Sequence, residues 1–300
     1  MFSKKTLLRG KSVDNRPLVD LSYWAKNTYP ETYSSMTELD QEGIDYLNSV
    51  RGTNMYCMFG GDGINGCYNL ASIDVSNWNT SNVTDLSFTF YDCGAFVSLD
   101  LSSWDTSNVT NMNKLFTRCN SLQILNVSNW DTSKVTNMYY MFGSCVKLTN
   151  LDVSNWDTSN VTNMKWMFKT CFYSRSPTSL DLSKWSTNSV TNMNSMFSSC
   201  NVTVLDVSGW DTAAVTDMGS MFDSSYNLKY LIIGSSTFKF QMKDSSCGSL
   251  TSNCKILVPS ALLSTYQNAT NWSSKASQFD AIENYTITRS NGQVTVTPNS

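Results

Sequence analysis

Six cysteines recur with a beat that invites a chemical reading: Cys67, Cys93, Cys119, Cys145, Cys171 and Cys200 are spaced 26, 26, 26, 26 and 29 residues apart. Regular thiols could hold a metal, pair as disulfides or fill a core. No pair has metal-ligand spacing, and Met and Phe keep the same beat, so a ladder of buried thiols is expected and no metal site is assigned. Cys57 stays unassigned, and Cys247 with Cys254 could form a disulfide in a protein that works outside a cell. Carboxylates recur as well. Asp74, Asp100, Asp152, Asp181 and Asp206, with Asn126 in the same register, make one polar column whose like charges need relief. Hydrogen bonds from Ser76, Ser102, Ser154, Ser183 and Ser208 would supply it; a calcium-linked ladder or a polar ligand-binding face are the alternatives. Asp105, Asp131, Asp157 and Asp211 each follow a Trp and read as turn caps.

A further column varies in type: Phe88, Lys114, Tyr140 and Trp166, then Ser195 and Ser220, with Tyr139 beside it. It lies off the apolar stripe described below. Phe88, Lys114, Tyr139, Tyr140 and Trp166 are therefore expected to form a partly exposed patch for protein or sugar contacts, the alternative being packing against an N-terminal arm or a neighbouring coil.

Catalysis has little to work with. The chain of 300 residues contains no histidine, which removes Ser/His/Asp and Cys/His nucleophile systems and imidazole zinc sites. A depolymerase would need paired carboxylates in a groove, whereas the acids here recur with the repeat and read as structure. We expect no enzyme activity, no catalytic residues and no cofactor. With a net charge of −3 and only 15% charged residues, no broad basic face exists for nucleic acid. No apolar run has membrane-spanning length, and Met1–Gly10 lacks the apolar stretch of a signal peptide. The Asn-x-Ser/Thr triplets at Asn82, Asn108, Asn126, Asn160 and Asn271 follow from composition.

These columns need elements to carry them. Trp78, Trp104, Trp130, Trp156, Trp185 and Trp210 are spaced 26, 26, 26, 29 and 25, parallel to the cysteines, so one unit repeats through the chain. In the copy at 148–171, Leu148, Leu151 and Val153 give the alternation of a short strand. Met164, Met167, Phe168 and Cys171 then fall at i, i+3, i+4 and i+7, the stripe of a short helix, with Thr162 placed as its cap. One such unit buries too little surface to fold alone; stacking supplies its partner. The expected fold class is therefore an α/β repeat solenoid, with a parallel sheet on one side and short helices on the other, capped at both ends. Seven strands, starting near Leu70, Phe96, Leu122, Leu148, Thr178, Val202 and Leu228, would stack to about 30 Å at ~4.8 Å per coil.

The segments LDLSSWDTSNVTNM and LDVSNWDTSNVTNMKWMF resemble the 26-residue repeats of bacterial surface proteins in lactobacilli and mycoplasmas, a divergent branch of the leucine-rich-repeat class. That resemblance covers about residues 47–233, and residues 255–282 are similar to closing segments of such proteins and of phage structural proteins. It implies interaction at a surface and carries over no catalytic residues. Three regions follow: residues 1–46 as an arm and capping helix opening at Thr37-Glu38-Leu39-Asp40, 47–233 as a solenoid of about seven coils, and 234–300 as a cap with a strand at Lys255–Val258, a helix and a hairpin turned at Asn291-Gly292. Leu231, Ile232 and Ile233 make a strand apolar on both faces, which expects cover.

The function expected from these readings is surface recognition. The first setting is a phage virion fibre or appendage whose partners are other virion proteins and a host-surface receptor, protein or glycan; the alternative is a bacterial cell-surface adhesin. Neither involves nucleic acid or membrane insertion, and a homo-oligomer is compatible with both.

Overall fold

The computed structural model describes residues 15–61, 66–149, 151–173, 178–234, 237–242 and 250–300. Chain order is β1 (Leu18–Asp20), α1 (Trp24–Thr28), α2 (Gln41–Ser49), β2 (Arg51–Asn54), β3 (Ser98–Asp100), β4 (Ile124–Asn126), β5 (Thr178–Asp181), β6 (Val202–Asp206), β7 (Tyr230–Ile232), β8 (Lys255–Val258), α3 (Leu263–Asn268), β9 (Phe279–Ala281), β10 (Tyr285–Ser290) and β11 (Gln293–Pro298). β3 pairs parallel with β4, and β5 to β9 form a five-stranded parallel sheet in chain order. The register advances one repeat per strand: Leu99 faces Leu125, and Leu180 faces Leu205, then Leu231, then Ile256. A solenoid of about seven stacked turns results.

A second ladder runs along another side of the stack. Asp85, Asn111, Asn137, Asn163, Asn192 and Asp217 form consecutive parallel bridges. Thr110 N–H donates to the Thr84 carbonyl of the preceding coil at 2.9 Å, and Met112 N–H to the Asn137 carbonyl of the following one at 3.0 Å. Each short segment thus binds a neighbour on either side, as a strand does.

The segments expected to be helices are instead chains of overlapping turns. In the coil that starts at Met138, the amides of Met138, Tyr140, Phe142 and Ser144 donate to the carbonyls of Asn163, Lys165, Met167 and Lys169 in the next coil, while Met141, Gly143 and Cys145 donate three residues back within their own coil. Tyr140 and Ser144 have φ of 54° and 61°, which interrupts any helix and suits the third position of a type II turn. A 3.6-residue apolar stripe does not separate these two backbones, because turns offset by three also return every third or fourth side chain to one face. Neighbouring coils at strand spacing offer carbonyls that a helix, bonded internally, would leave unused.

Inside, each repeat position becomes a column. Phe59, Phe90, Phe116, Phe142, Phe168, Phe197 and Phe222 stack with centroids 5.4 to 6.0 Å apart and planes within 3 to 11°. The Trp column from Trp78 to Trp210 stacks at 6.0 to 6.4 Å. Indole N–H groups of Trp130, Trp156, Trp185 and Trp210 donate to carbonyls of the preceding coil, so burying them leaves no unmet donor at these four positions. The buried Thr after each Trp-Asp pair reaches the following coil: Thr106 donates to Asp131, Thr132 to Asp157, Thr158 to Ser186 and Thr187 to Asp211.

Cysteines form the buried column, and none of the eight described ones is in a disulfide. The thiols of Cys93, Cys119 and Cys145 donate to the carbonyls of Phe59, Phe90 and Phe116. Burial pushes the Cys145 and Cys200 thiols up to about 12, which keeps them protonated. At the column's end Ser225 takes the place of Cys, and its hydroxyl makes the same bond, to Phe197. Cys254 is buried in the cap; the pairing with Cys247 that the sequence leaves open lies outside the described residues.

The stack begins earlier than the repeat spacing indicates. β1 pairs parallel with β2, and Leu21, Trp24 and Ala25 are buried in the core, so residues 18–29 make a first coil. α2 closes that end. Its N-cap is Asp40, whose side chain accepts the Gly43 N–H at 2.8 Å, three residues later than the Thr37 opening.

At the opposite end the hairpin of β10 and β11 folds back across the sheet. Its turn has positive φ at both Asn291 and Gly292, 49° and 71°, as the tight type I′ turn requires, and a side chain at Gly292 would collide with Asp152. Val294 is buried with Ile232 and Leu257, while Ile287 and Val296 pack alongside, which provides the cover that the doubly apolar strand β7 needs. Arg289 clamps the arrangement: Nε and Nη2 lie 2.8 and 2.6 Å from Asp206 Oδ2.

Two outcomes test this packing. Phe142→Ala, which opens the middle of the ring column, should cost about 3–5 kcal/mol in chemical denaturation; a loss well below that would show that the column is not a continuous core. Asp206 has a carboxyl pKa raised by burial, opposed by Ser208 and Arg289. A raised folded-state pKa means this group favours folding below its unfolded value and loses that contribution as pH rises through the folded value. Arg289→Ala removes the opposing charge, so it should destabilise by about 2 kcal/mol at neutral pH, and the gap from wild type should narrow on acidification. A pH-independent gap would contradict the pairing.

Candidate interaction surface

The variable column occupies the same backbone position in every coil. Phe88, Lys114, Tyr140, Trp166, Ser195 and Ser220 all have positive φ, between 52° and 62°, and Tyr23 and Cys57 share the conformation at 54° and 51° in the first two coils. Their amides bind the next coil: Tyr23 to Tyr56, Cys57 to Ser87, Phe88 to Asn113, Lys114 to Tyr139, Tyr140 to Lys165 and Trp166 to Asn194. The left-handed region costs a residue with a Cβ roughly 1 kcal/mol, and glycine or asparagine would be the undemanding choice. The turn itself does not call for a large ring at this position, which serine also occupies.

Together the side chains make a strip along the turn side. Tyr23 meets Tyr56 edge-on at 5.3 Å, Tyr56 meets Phe88 at 5.6 Å, and Phe88 meets Tyr91 at 5.4 Å. Lys114 Nζ lies 4.8 Å from the Phe88 centroid and 5.7 Å from that of Tyr139. Tyr139, Tyr140 and Trp166 form a triangle with centroids 5.4 to 6.1 Å apart, and Lys165 and Lys169 stand 4.9 and 4.8 Å from the Trp166 ring. The structure thus brings Phe88, Lys114, Tyr139, Tyr140 and Trp166 together, each partly exposed. Burial, then the neighbouring Tyr140, raises the Tyr139 hydroxyl, which stays a neutral donor. Beyond Trp166 the strip ends in Asn194, Ser195, Gly219 and Ser220.

Sequence reasoning missed Tyr23, Tyr56, Tyr91, Lys165 and Lys169. Tyr56 precedes Cys57, which holds the column position in a coil whose period is broken by an insertion before Cys67. Tyr23 belongs to a first coil with no repeat motif to align. Lys165 flanks Trp166 as Tyr139 flanks Tyr140, and that parallel was a usable signal.

On the opposite face the polar ladder divides in two. Asp74, Asp100, Asp152, Asp181 and Asp206 each accept the amide of the residue two further on, at 2.9 to 3.1 Å. Asp74 and Asp100 are exposed, with carboxyls held below their ordinary value chiefly by Ser76 and by Ser102. Asn126 and Asp152 are half-buried, and Asp181 and Asp206 are buried under the hairpin. The second acidic series makes the same local bond, as Asp105 does with Ser107 and Asp131 with Ser133. Among the described residues no three His, Cys, Asp or Glu side chains gather as metal ligands. The uncovered part of the sheet forms a groove of about 450 Å³ between Asp74 and Asp100, beside the exposed Val97. Among the described residues no helix is long and apolar enough to cross a membrane.

Ring faces, phenol hydroxyls and ammonium groups on a rigid ladder can bind; they offer planar stacking, hydrogen bonds and positive charge at coil spacing. No curated protein matches the chain. One family model, described as "Mycoplasma protein of unknown function, DUF285", matches three times, at residues 27–123, 53–179 and 169–232. Staggered, overlapping matches are what a model of several coils produces on a longer stack of the same coils. Since they extend over most of the solenoid and more than half of the chain, this protein belongs to that DUF285 family.

Proposed function

We propose that this protein is a non-enzymatic recognition module that presents the turn-side strip to a partner on a cell surface, a protein or a glycan. The observation that carries the reading is the placement of Phe88, Tyr140 and Trp166 at left-handed positions where Ser195 and Ser220 serve the same turn. Those serines support the reading, since the same turn forms there without a ring. Recognition surfaces are enriched in Tyr and Trp because such rings combine area with few rotatable bonds.

The acids do not suit catalysis in this reading, since the sheet-face aspartates are committed to capping bonds two residues ahead. The match to a Mycoplasma family, with the resemblance of the repeats to those of bacterial surface proteins, supports display at a bacterial cell surface. A virion appendage, bound to other virion proteins and to a host receptor, would use the same strip, and fractionating the source organism and its phage particles distinguishes the two settings.

The test is the double variant Tyr140→Ser/Trp166→Ser, which copies the composition of the later coils. Binding to intact cells should fall at least about tenfold, the loss of roughly 1.4 kcal/mol or more, with the thermal transition close to that of the parent. Undiminished binding in the folded variant would reject the strip as the contact face.

A further inference from the structure

A second recess lies at the opposite end of the molecule from the hairpin, between the first coil and α2. It has a volume of about 510 Å³ and is lined by Trp24, Thr28, Tyr29, Asp40, Glu42, Gly43 and Tyr46, a size typical of small-molecule sites. Three of the lining groups are rings. Trp24 and Tyr46 are nearly parallel, with planes 7° apart and centroids at 6.4 Å, and Tyr29 stands almost perpendicular to Trp24, at 81° and 5.7 Å. Two walls of aromatic surface therefore meet near a right angle.

The charged lining groups are both carboxylates. Asp40 Oδ1 accepts from the Tyr29 hydroxyl at 2.7 Å and from the Gly43 amide at 2.8 Å, and Oδ2 has no partner among the described residues. Neither Asp40 nor Glu42 has an ion pair among the described residues. Lys26, on the neighbouring α1, is directed to the Tyr23 ring instead, at 5.9 Å. Gly43 lets these groups close on the helix: a Cβ there would lie 2.3 Å from the Tyr29 hydroxyl and 3.2 Å from Trp24. Inside a helix a glycine costs about 1 kcal/mol relative to alanine, and here it preserves the meeting point of both rings and the carboxylate.

Electron-rich ring faces arranged around unpaired negative charge select one class of ligand. We infer that this recess binds an organic cation, a quaternary ammonium or alkylated amine, with Trp24, Tyr29 and Tyr46 as the ring walls and Asp40 and Glu42 as the counter-charges. Ring quadrupoles attract a poorly hydrated cation of this kind, whereas an alkali ion retains its water. The site uses none of the strip residues, so it stands or falls independently of the recognition reading.

Calorimetric titration of the full chain with choline and with tetramethylammonium tests the assignment, using the neutral isostere 3,3-dimethylbutanol and potassium as controls. Saturable binding of both cations, with a Kd of about 1 mM or tighter, and none of either control is expected. Tyr46→Leu and Glu42→Gln, which alter exposed side chains, should each weaken choline at least about threefold, while a thermal melt without ligand shows the fold retained. Equal binding of the neutral isostere would show an apolar recess without cation selectivity. Absence of saturable cation binding, or variants that bind as the parent does, would likewise overturn the site, leaving Tyr29, Asp40 and Gly43 as a clamp on α2.

Discussion

Coil-to-coil hydrogen bonding of the backbone is the constraint on which the rest of this structure depends. A unit of about 26 residues has too little surface to close a core, so its free amides and carbonyls must find partners in the coils above and below. They do so along the leucine sheet, along the Asn/Asp bridges and along the turns from Met138 to Ser144 and their equivalents. Once the backbones are held in register, identical side chains are forced into columns. Flat rings are the residues that tolerate this best, because Phe on Phe and Trp on Trp pack at nearly constant separation with nearly parallel planes. Thr132, Trp156 and Cys145 then use their donors on carbonyls of adjacent coils, so burial of polar atoms adds links to the ladder.

A stack built in this way has fixed and free positions. Positions inside the columns keep one kind of buried side chain with few exchanges, such as Ser225 for Cys, while the left-handed position on the turn side varies from ring to lysine to serine. There the chain changes from aromatic and basic in the N-terminal coils to serine in the last ones without altering φ. The sheet face shows a comparable division. Under the hairpin, Asp206 is buried against Arg289 and Gly292 sits on Asp152; toward the N-terminus, Asp74 and Asp100 remain open. One molecule therefore carries a long aromatic strip, an open polar groove and a ring-lined recess on a single stacked scaffold.

Much of the fold was legible in the sequence. The spacing of Trp and Cys gives the stack, and the Leu/Val alternation gives its sheet. The backbone of the turn side was not legible, because Met164, Met167, Phe168 and Cys171 satisfy a helical period and an overlapping-turn period equally well. Deciding between them requires knowing that carbonyls of the next coil lie within reach, which is a property of the stack. The first coil was also hidden: Leu18, Leu21 and Trp24 pair with the solenoid but lack the Asp-Thr-Ser turn that marks the later coils. For the candidate sites, periodicity located the central strip residues, and loss of period concealed Tyr23 and Tyr56. The recess by α2 joins residues from two non-repeating segments, a juxtaposition that no spacing records.

The stack rests on turns whose amides are held by the neighbouring coil. Native-state hydrogen exchange of the amides of Met138, Tyr140, Phe142 and Ser144 measures this directly. If the ladder holds, these amides exchange only on global unfolding, although they lie in turns on one side of the molecule, and their exchange rates share the denaturant dependence of the buried sheet. Exchange as fast as that of solvent-exposed turns would contradict it, since such turns would be closed by local bonds alone and the stack would need another source of order.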